Sequence, residues 1–255
     1  MILTDTHTHL YAEQFDEDRE EVILKALELG IKRFFIPAID SSYYDRMFAL
    51  EKAFPENVFL MAGLHPTHVK ADFKEELAIV KKQLETKQFY AIGEIGMDLY
   101  WDKSFIKEQQ EAFRMQILWA KERKLPIVIH CRDAFDEIFE IMDAVCDDDL
   151  NGIFHCFTGN KEQAEKIISY GFKLGIGGVI TFKNGGLDKF MSAIPLEHIV
   201  LETDSPYLAP APYRGKRNES SYLINVLGKL VDIYGIDPEE IAKITTSNSK
   251  QVFGI

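Results

Sequence analysis

Short apolar runs alternate with amphipathic helical segments along the whole chain, and this rhythm restricts the fold more than any other feature. The strand candidates are Ile2–Thr6, Arg33–Ile36, Val58–Ala62, Tyr90–Gly93, Ile127–Ile129, Gly152–Phe154, Phe172–Ile176 and Ile199–Leu201. They are rich in Ile, Val and Phe, and several are apolar throughout, as parallel strands are when both faces are covered. Between them, Val22, Ile23, Ala26 and Leu27 form one apolar stripe, with Gly30 placed to end that helix. Ile138, Ile141, Met142 and Val145 repeat the helical spacing. Asn160 followed by Gln163 predicts a capping box, and Asp237-Pro238 predicts a helix start.

Eight strands alternating with helices fit a closed barrel or an open doubly wound sheet. No G-x-G-x-x-G follows the first run, so a dinucleotide-binding sheet loses its main support. At 255 residues, with no repeat, low-complexity tract or linker, the chain reads as a single α/β domain over residues 1–255, and where its chemical residues fall decides for a (β/α)₈ TIM barrel.

The chemistry-bearing residues fall at matching places in this pattern. Asp5-Thr6-His7-Thr8-His9 follows the first run, and side chains two apart in extended chain share a side, so His7 and His9 can grip one ion. Glu94, His130, His155 and Asp204 follow the fourth, fifth, sixth and eighth runs. In a barrel all strand C-termini open on one rim, where active sites form. Chance rarely delivers six ligand-type side chains to one mouth. A carboxylate can bridge, so Glu94 is expected between two cations, with His7, His9 and Asp204 on one and His130 and His155 on the other. Two ions roughly 3.5–4 Å apart can activate a water and clamp a phosphoryl oxygen. Asp204 could instead take the proton of that water as general base, alongside Glu94 as the other catalytic carboxylate.

The formal net charge of -12 argues against an architectural nucleic-acid binder, although it leaves room for a strand held locally by cations. Three cysteines without a C-x-x-C pair do not form a disulfide framework, and the start MILTDTHTHL lacks the layout of a signal peptide. A cytoplasmic location is expected, with no membrane span and no obligatory protein partner evident.

In this order and spacing, the chain resembles the TatD family of metal-dependent deoxyribonucleases, within the amidohydrolase-like hydrolases. The resemblance rests on DTHTHL at 5–10, GLHP at 63–66, GEIGMD at 93–98, HCRDA at 130–134, HCFTG at 155–159, LETDSPYL at 201–208 and RGKRNE at 214–219. It implies a (β/α)₈ barrel, a dinuclear site formed by His7, His9, Glu94, His130, His155 and Asp204, and hydrolysis of phosphodiester bonds in DNA. The ions implied are two divalent cations, Zn, Mn, Co, Ni or Mg. Two positions depart from the family's pattern: the usual proline after RGKRNE is Ser220, expected to alter the substrate rim, and the common serine of HCFSG is Thr158.

Around these, His65 is expected to hydrogen-bond a substrate phosphate, or else to fix a turn. Arg132 shares the side of His130 and either forks onto phosphate or pairs with a rim carboxylate. Arg214 heads a basic loop suited to phosphate, in which Lys216 and Arg217 read as solvated. Asp98 either positions a ligand or caps a loop. The Gly175–Gly178 stretch either approaches a phosphate or makes a tight turn. Tyr207 and Tyr213 either stack on bases or, the preferred reading, pack against the barrel rim; Trp101 and Trp119 read as core or rim packing residues, and Cys131 and Cys156 as facing the helix–sheet layer. His68 is expected to be exposed, and His198 to lie at the opposite end of the barrel.

Two rivals share much of this inventory. An amidohydrolase-like enzyme would cleave C–N or ester bonds, including an ester on tRNA, and many of those carry a carbamylated lysine where Glu94 stands. A non-catalytic metal-binding protein would need a closed coordination sphere.

Overall fold

A computed structural model describes residues 1–255. Eight parallel strands run in chain order: β1 (Leu3–Asp5), β2 (Ile31–Ile36), β3 (Val58–Ala62), β4 (Ala91–Asp98), β5 (Ile127–Arg132), β6 (Gly152–Phe154), β7 (Lys173–Ile176) and β8 (Ile199–Leu201). Each pairs with the next, and the seam between β8 and β1 is closed by Thr6 N–H donating to Leu201 O at 3.0 Å. Asp204 N–H to His7 O at 2.9 Å and His9 N–H to Ser205 O at 2.7 Å extend that closure onto the rim. The fold is the (β/α)₈ barrel expected from the alternation.

The helices are α1 (Arg19–Glu28), α2 (Tyr44–Ala53), α3 (Phe73–Thr86), α4 (Ile106–Arg123), α5 (Phe135–Val145), α6 (Lys161–Ser169), α7 (Leu223–Tyr234) and α8 (Pro238–Phe253). Helix α6 begins with the Asn160–Gln163 capping box, and α8 begins with Asp237 capping Glu239 N–H. No α-helix joins β7 to β8; short 3-10 turns do so, in a stretch broken by Gly185, Gly186 and Pro195. No helix is long and apolar enough to cross a membrane.

Strand parity separates two cores. Phe35, Met61, Ala91, Val128, Ile153 and Val200 meet inside the barrel, where Phe253 at the end of α8 stacks on Phe35 with ring centroids 3.6 Å apart. Their strand neighbours, such as Ile36, Ile92, Ile129 and Leu201, join the larger core between sheet and helices. Continuing the inward parity from Val128, Ile153 and Val200 points His130, His155, Glu202 and Asp204 into the mouth.

Glu94 breaks this rule. Counting from inward Ala91, position 94 would face outward. Yet β4 carries a bulge: Ile92 pairs with Ile127, whereas Ile95 pairs with Ile129, so three steps on β4 match two on β5. The inserted residue reverses the parity and turns Glu94 inward. The bulge is tied to the β2 side by Ala38 N–H to Gly93 O and Glu94 N–H to Ala38 O, each 3.2 Å. Two sequence-based strand ends are thereby corrected. Strand β4 continues past Gly93 to Asp98, and β5 past Ile129 to Arg132, so Glu94 and His130 lie within strands. Gly96 permits the continuation, because a Cβ there would sit 2.1 Å from His130 O.

Candidate active site

Glu94 is the hub of the mouth, and its two oxygens divide the imidazoles. Oε2 faces Nε2 of His7 at 3.1 Å and of His9 at 3.8 Å. Oε1 faces His65 Nε2 at 3.1 Å, His130 Nδ1 at 2.8 Å and His155 Nε2 at 2.7 Å. Asp204 Oδ1 completes the first side, 3.4 Å from His9 Nε2 and 3.8 Å from His7 Nε2. His155 lies between the halves, stacked on His7 with centroids 3.8 Å apart. Three groups therefore bring ligand atoms within 4.8 Å of one another: His7, His9 and Glu94; His7, His155 and Asp204; His65, Glu94 and His130. All six residues singled out from the sequence converge, and His65 joins them.

The cluster's charge is coupled. Burial pushes the Glu94 carboxyl up, but the imidazoles of His155, His65 and His7 and the His130 hydrogen bond outweigh it and hold it well below its ordinary range. Burial, helped by neighbouring His155, drags His7 down to about 4, and burial does the same to His65. His155 and His130 go the other way: burial opposes their charge, yet Glu94 with Glu202, and Asp98 with Glu94, raise them. Burial also works against the Asp204 carboxylate, and the facing His9, His155 and His7 more than offset it.

Further side chains hold these groups in place. His130 Nε2 reaches Asp98 Oδ2 at 2.9 Å, while Asp98 Oδ1 accepts the N–H groups of Tyr100 at 3.0 Å and Trp101 at 3.1 Å. Asp98 thus does both jobs that its position allowed. His9 Nδ1 pairs with Tyr11 Oη at 2.9 Å, and Arg19 and Arg46 brace that loop by donating to the Tyr11 carbonyl at 3.1 and 2.8 Å.

The sequence reading missed Tyr11 and Glu202. Glu202 is fully buried, accepts Cys156 N–H at 2.5 Å and lies 3.6 Å from His155 Nδ1. Its signal was the two-residue spacing to Asp204, which gives both the same parity. The glycines in and just after β7 serve Glu202 and the rim backbone. A Cβ on Gly175 would stand 2.2 Å from Glu202 Oε2, and one on Gly178 would stand 2.1 Å from Leu208 O. Gly175→Ala is expected to cost about 1–3 kcal/mol through overpacking. Urea denaturation would measure it, and an unchanged midpoint would contradict the tight contact.

Several rim residues depart from expectation. Ser220 is buried, with Oγ 3.3 Å from Thr8 Oγ1 just past β1, and does not line the cavity. Cys131 and Cys156 pack against the core between sheet and helices, as expected, and also border the mouth. Trp101 and Tyr207, read as packing residues, line the cavity and are 68% and 46% exposed. Tyr213 does pack, stacked on Tyr222 at 4.0 Å, and Trp119 is buried. Arg132 lines the mouth with its guanidinium on the Tyr100 ring. Arg214 instead lies over Phe182, 3.5 Å from the ring centroid. Arg217 is bound to Asp18 at 2.6 Å rather than free in solvent. His68 is exposed, and His198 lies ahead of β8 at the far end.

The mouth opens into a cavity of about 1170 Å³, above the roughly 300–1,000 Å³ usual for a small ligand. Comparison with known proteins agrees with this architecture. The family model described as TatD related DNase matches residues 4–254. The uncharacterized metal-dependent hydrolase YabD of Bacillus subtilis is 40% identical over 255 residues, covering 100% of both chains. The 3'-5' ssDNA/RNA exonuclease TatD of Erwinia tasmaniensis is 30% identical over 257 residues, covering 98% of this chain and 99% of that one. The crystal structure of YJJV, a TatD homolog from Escherichia coli, superposes with a TM-score of 0.93 at 26% identity over 99% of this chain and 98% of that chain. With the family match running from β1 to the end of α8 through every residue of the Glu94 cluster, the chain belongs to the TatD related DNase family.

Proposed function

We propose that residues 1–255 act as one barrel domain that hydrolyses phosphodiester bonds in single-stranded DNA or a similar strand, using divalent metal ions. Two ions would be held by His7, His9, Glu94, His130, His155 and Asp204, with His65 beside the second. The observation that carries this reading is the division of the imidazoles between the two oxygens of one buried carboxylate. The names of the Bacillus and Erwinia relatives supply the metal dependence and the substrate class.

The residues present fit such ions. Both ring nitrogens of His7 and Nδ1 of His155 are buried without a hydrogen-bond partner, although His7 Nε2 is 3.1 Å from Glu94 Oε2. Buried polar atoms are rarely left unpaired. Of these three, His7 Nε2 points at the Glu94 cluster, where a shared cation would satisfy it, whereas His155 offers the cluster its other nitrogen. Neutral imidazoles favour Zn, Mn, Co or Ni, whereas Mg prefers oxygen. The facing carboxylates favour the protonated rings of His130 and His155, so metal binding there would have to displace protons.

When bound, the ions supply Lewis acidity and make water a competent nucleophile near neutral pH. Glu94 holds the two halves of the site at fixed separation. Asp98, Tyr11 and Glu202 orient the rings of His130, His9 and His155. The Asp204 side chain is 12% exposed against 2% for Glu94, so it is the carboxylate open to the cavity, where Oδ1 can take the attacking water's proton. Arg132 presents its remaining N–H groups to phosphate oxygens.

The test is to strip the protein with a chelator and titrate back Zn, Mn, Co, Ni and Mg. Turnover of single-stranded DNA, a cyclic amide and an aminoacyl ester would be followed in parallel. We expect DNA cleavage to fall to background on stripping and return with metal. Full cleavage by the stripped protein would end the proposal, and turnover of the amide or ester without DNA cleavage would transfer the site to another hydrolase class.

A further inference from the structure

Beside the cavity, where Trp101 and Arg132 line its edge, stands more exposed aromatic surface than packing explains. Tyr100 is 52% and Trp101 68% exposed, and the two rings meet edge to face at 4.9 Å. The Arg132 guanidinium lies 3.9 Å from the Tyr100 centroid and 5.3 Å from that of Trp101. Large apolar rings left in solvent lose the burial free energy that normally places them in a core, and here two sit together at the rim of a catalytic cleft.

Their mounting is rigid. Asp98 Oδ1 accepts both their backbone N–H groups, and its other oxygen holds His130. Leu99 N–H donates to Arg132 O at 2.9 Å, and Gln109 Oε1 accepts Asp98 N–H at 2.9 Å. One carboxylate therefore sets the distance between the aromatic pair and the Glu94 cluster. A planar group lying on Trp101 would be held at a fixed offset from that cluster.

Resting on the nuclease reading, we propose that Tyr100, Trp101 and Arg132 form a stacking platform for an unpaired nucleobase next to the scissile phosphate. Every base has a π-face, so such a platform takes any sequence, and it disfavours duplex because a base inside a helix has both faces covered by its stacked neighbours. Arg132 serves twice, stacked on the ring through its plane and turned to phosphate through its edge.

The test uses a Trp119→Phe protein, in which Trp101 is the sole tryptophan. Its fluorescence is titrated with single-stranded oligothymidylate, with an abasic strand of equal length, and with duplex. We expect quenching by the base-bearing single strand alone. Trp101→Ala in the native background is expected to raise KM for that strand roughly ten- to hundredfold, with Trp101→Phe restoring most of it. The preference for base-bearing over abasic strand should disappear as KM rises. Equal quenching by the abasic strand, or a KM within twofold of native in Trp101→Ala, would overturn the platform. Base-dependent quenching without any strand cleavage would uphold the platform and defeat the nuclease reading instead.

Discussion

Glu94→Gln is expected to lower single-strand cleavage by roughly three orders of magnitude, a loss of about 4 kcal/mol in transition-state stabilisation. The amide keeps the shape of the carboxylate but removes its charge and replaces one acceptor with a donor. Oε1 faces three imidazoles and Oε2 faces two, so whichever way the amide turns, an NH₂ group confronts ring nitrogens that need an acceptor or a shared cation. Metal content by elemental analysis should fall together with kcat, while far-UV circular dichroism stays native because the side-chain volume is conserved. A Glu94→Gln enzyme that bound a full metal complement and cut at the native rate would remove the bridge from the mechanism.

The second large effect is expected at Asp204. Asparagine there keeps a ligating oxygen and loses the capacity to accept a proton, so kcat should drop roughly 10²- to 10⁴-fold. The two roles open to Asp204 separate by measurement. Retained metal with lost turnover assigns it the proton, whereas parallel loss of metal makes it chiefly a ligand. The distances allow either, since Oδ1 is 3.4 Å from His9 Nε2 and the side chain reaches the cavity. A turnover within twofold of native would leave it neither.

Both residues could be picked out because they follow strand-like runs, and for most of the cluster the inward direction follows from periodicity as well. Parallel strands place inward side chains two apart, so Val128 and His130, or Ile153 and His155, share a direction once the strand is recognised. Barrel closure then gathers all strand ends on one rim. Helix starts at Asn160 and Asp237 were equally legible, because capping is decided within three residues.

Less local features escaped. Glu202 looked like one more acid in LETDSPYL until Gly175 on β7 was seen to leave space for it beside His155. Ser220 seemed to belong to the rim because only the path of the chain between β8 and α7 buries it against Thr8. Trp101 reads as packing in any window, and its exposure depends on how Asp98 ties the loop to His130.

The sequence by itself determined the strand–helix order and the identity of the converging donors, because each follows from patterns a few residues long. Tertiary structure alone decided that Glu94 faces those donors. Simple alternation from Ala91 would turn it outward, and the bulge opposite β5, braced by Ala38, reverses it. A bulge is set by pairing with neighbouring strands, and such pairing is invisible until the sheet has closed.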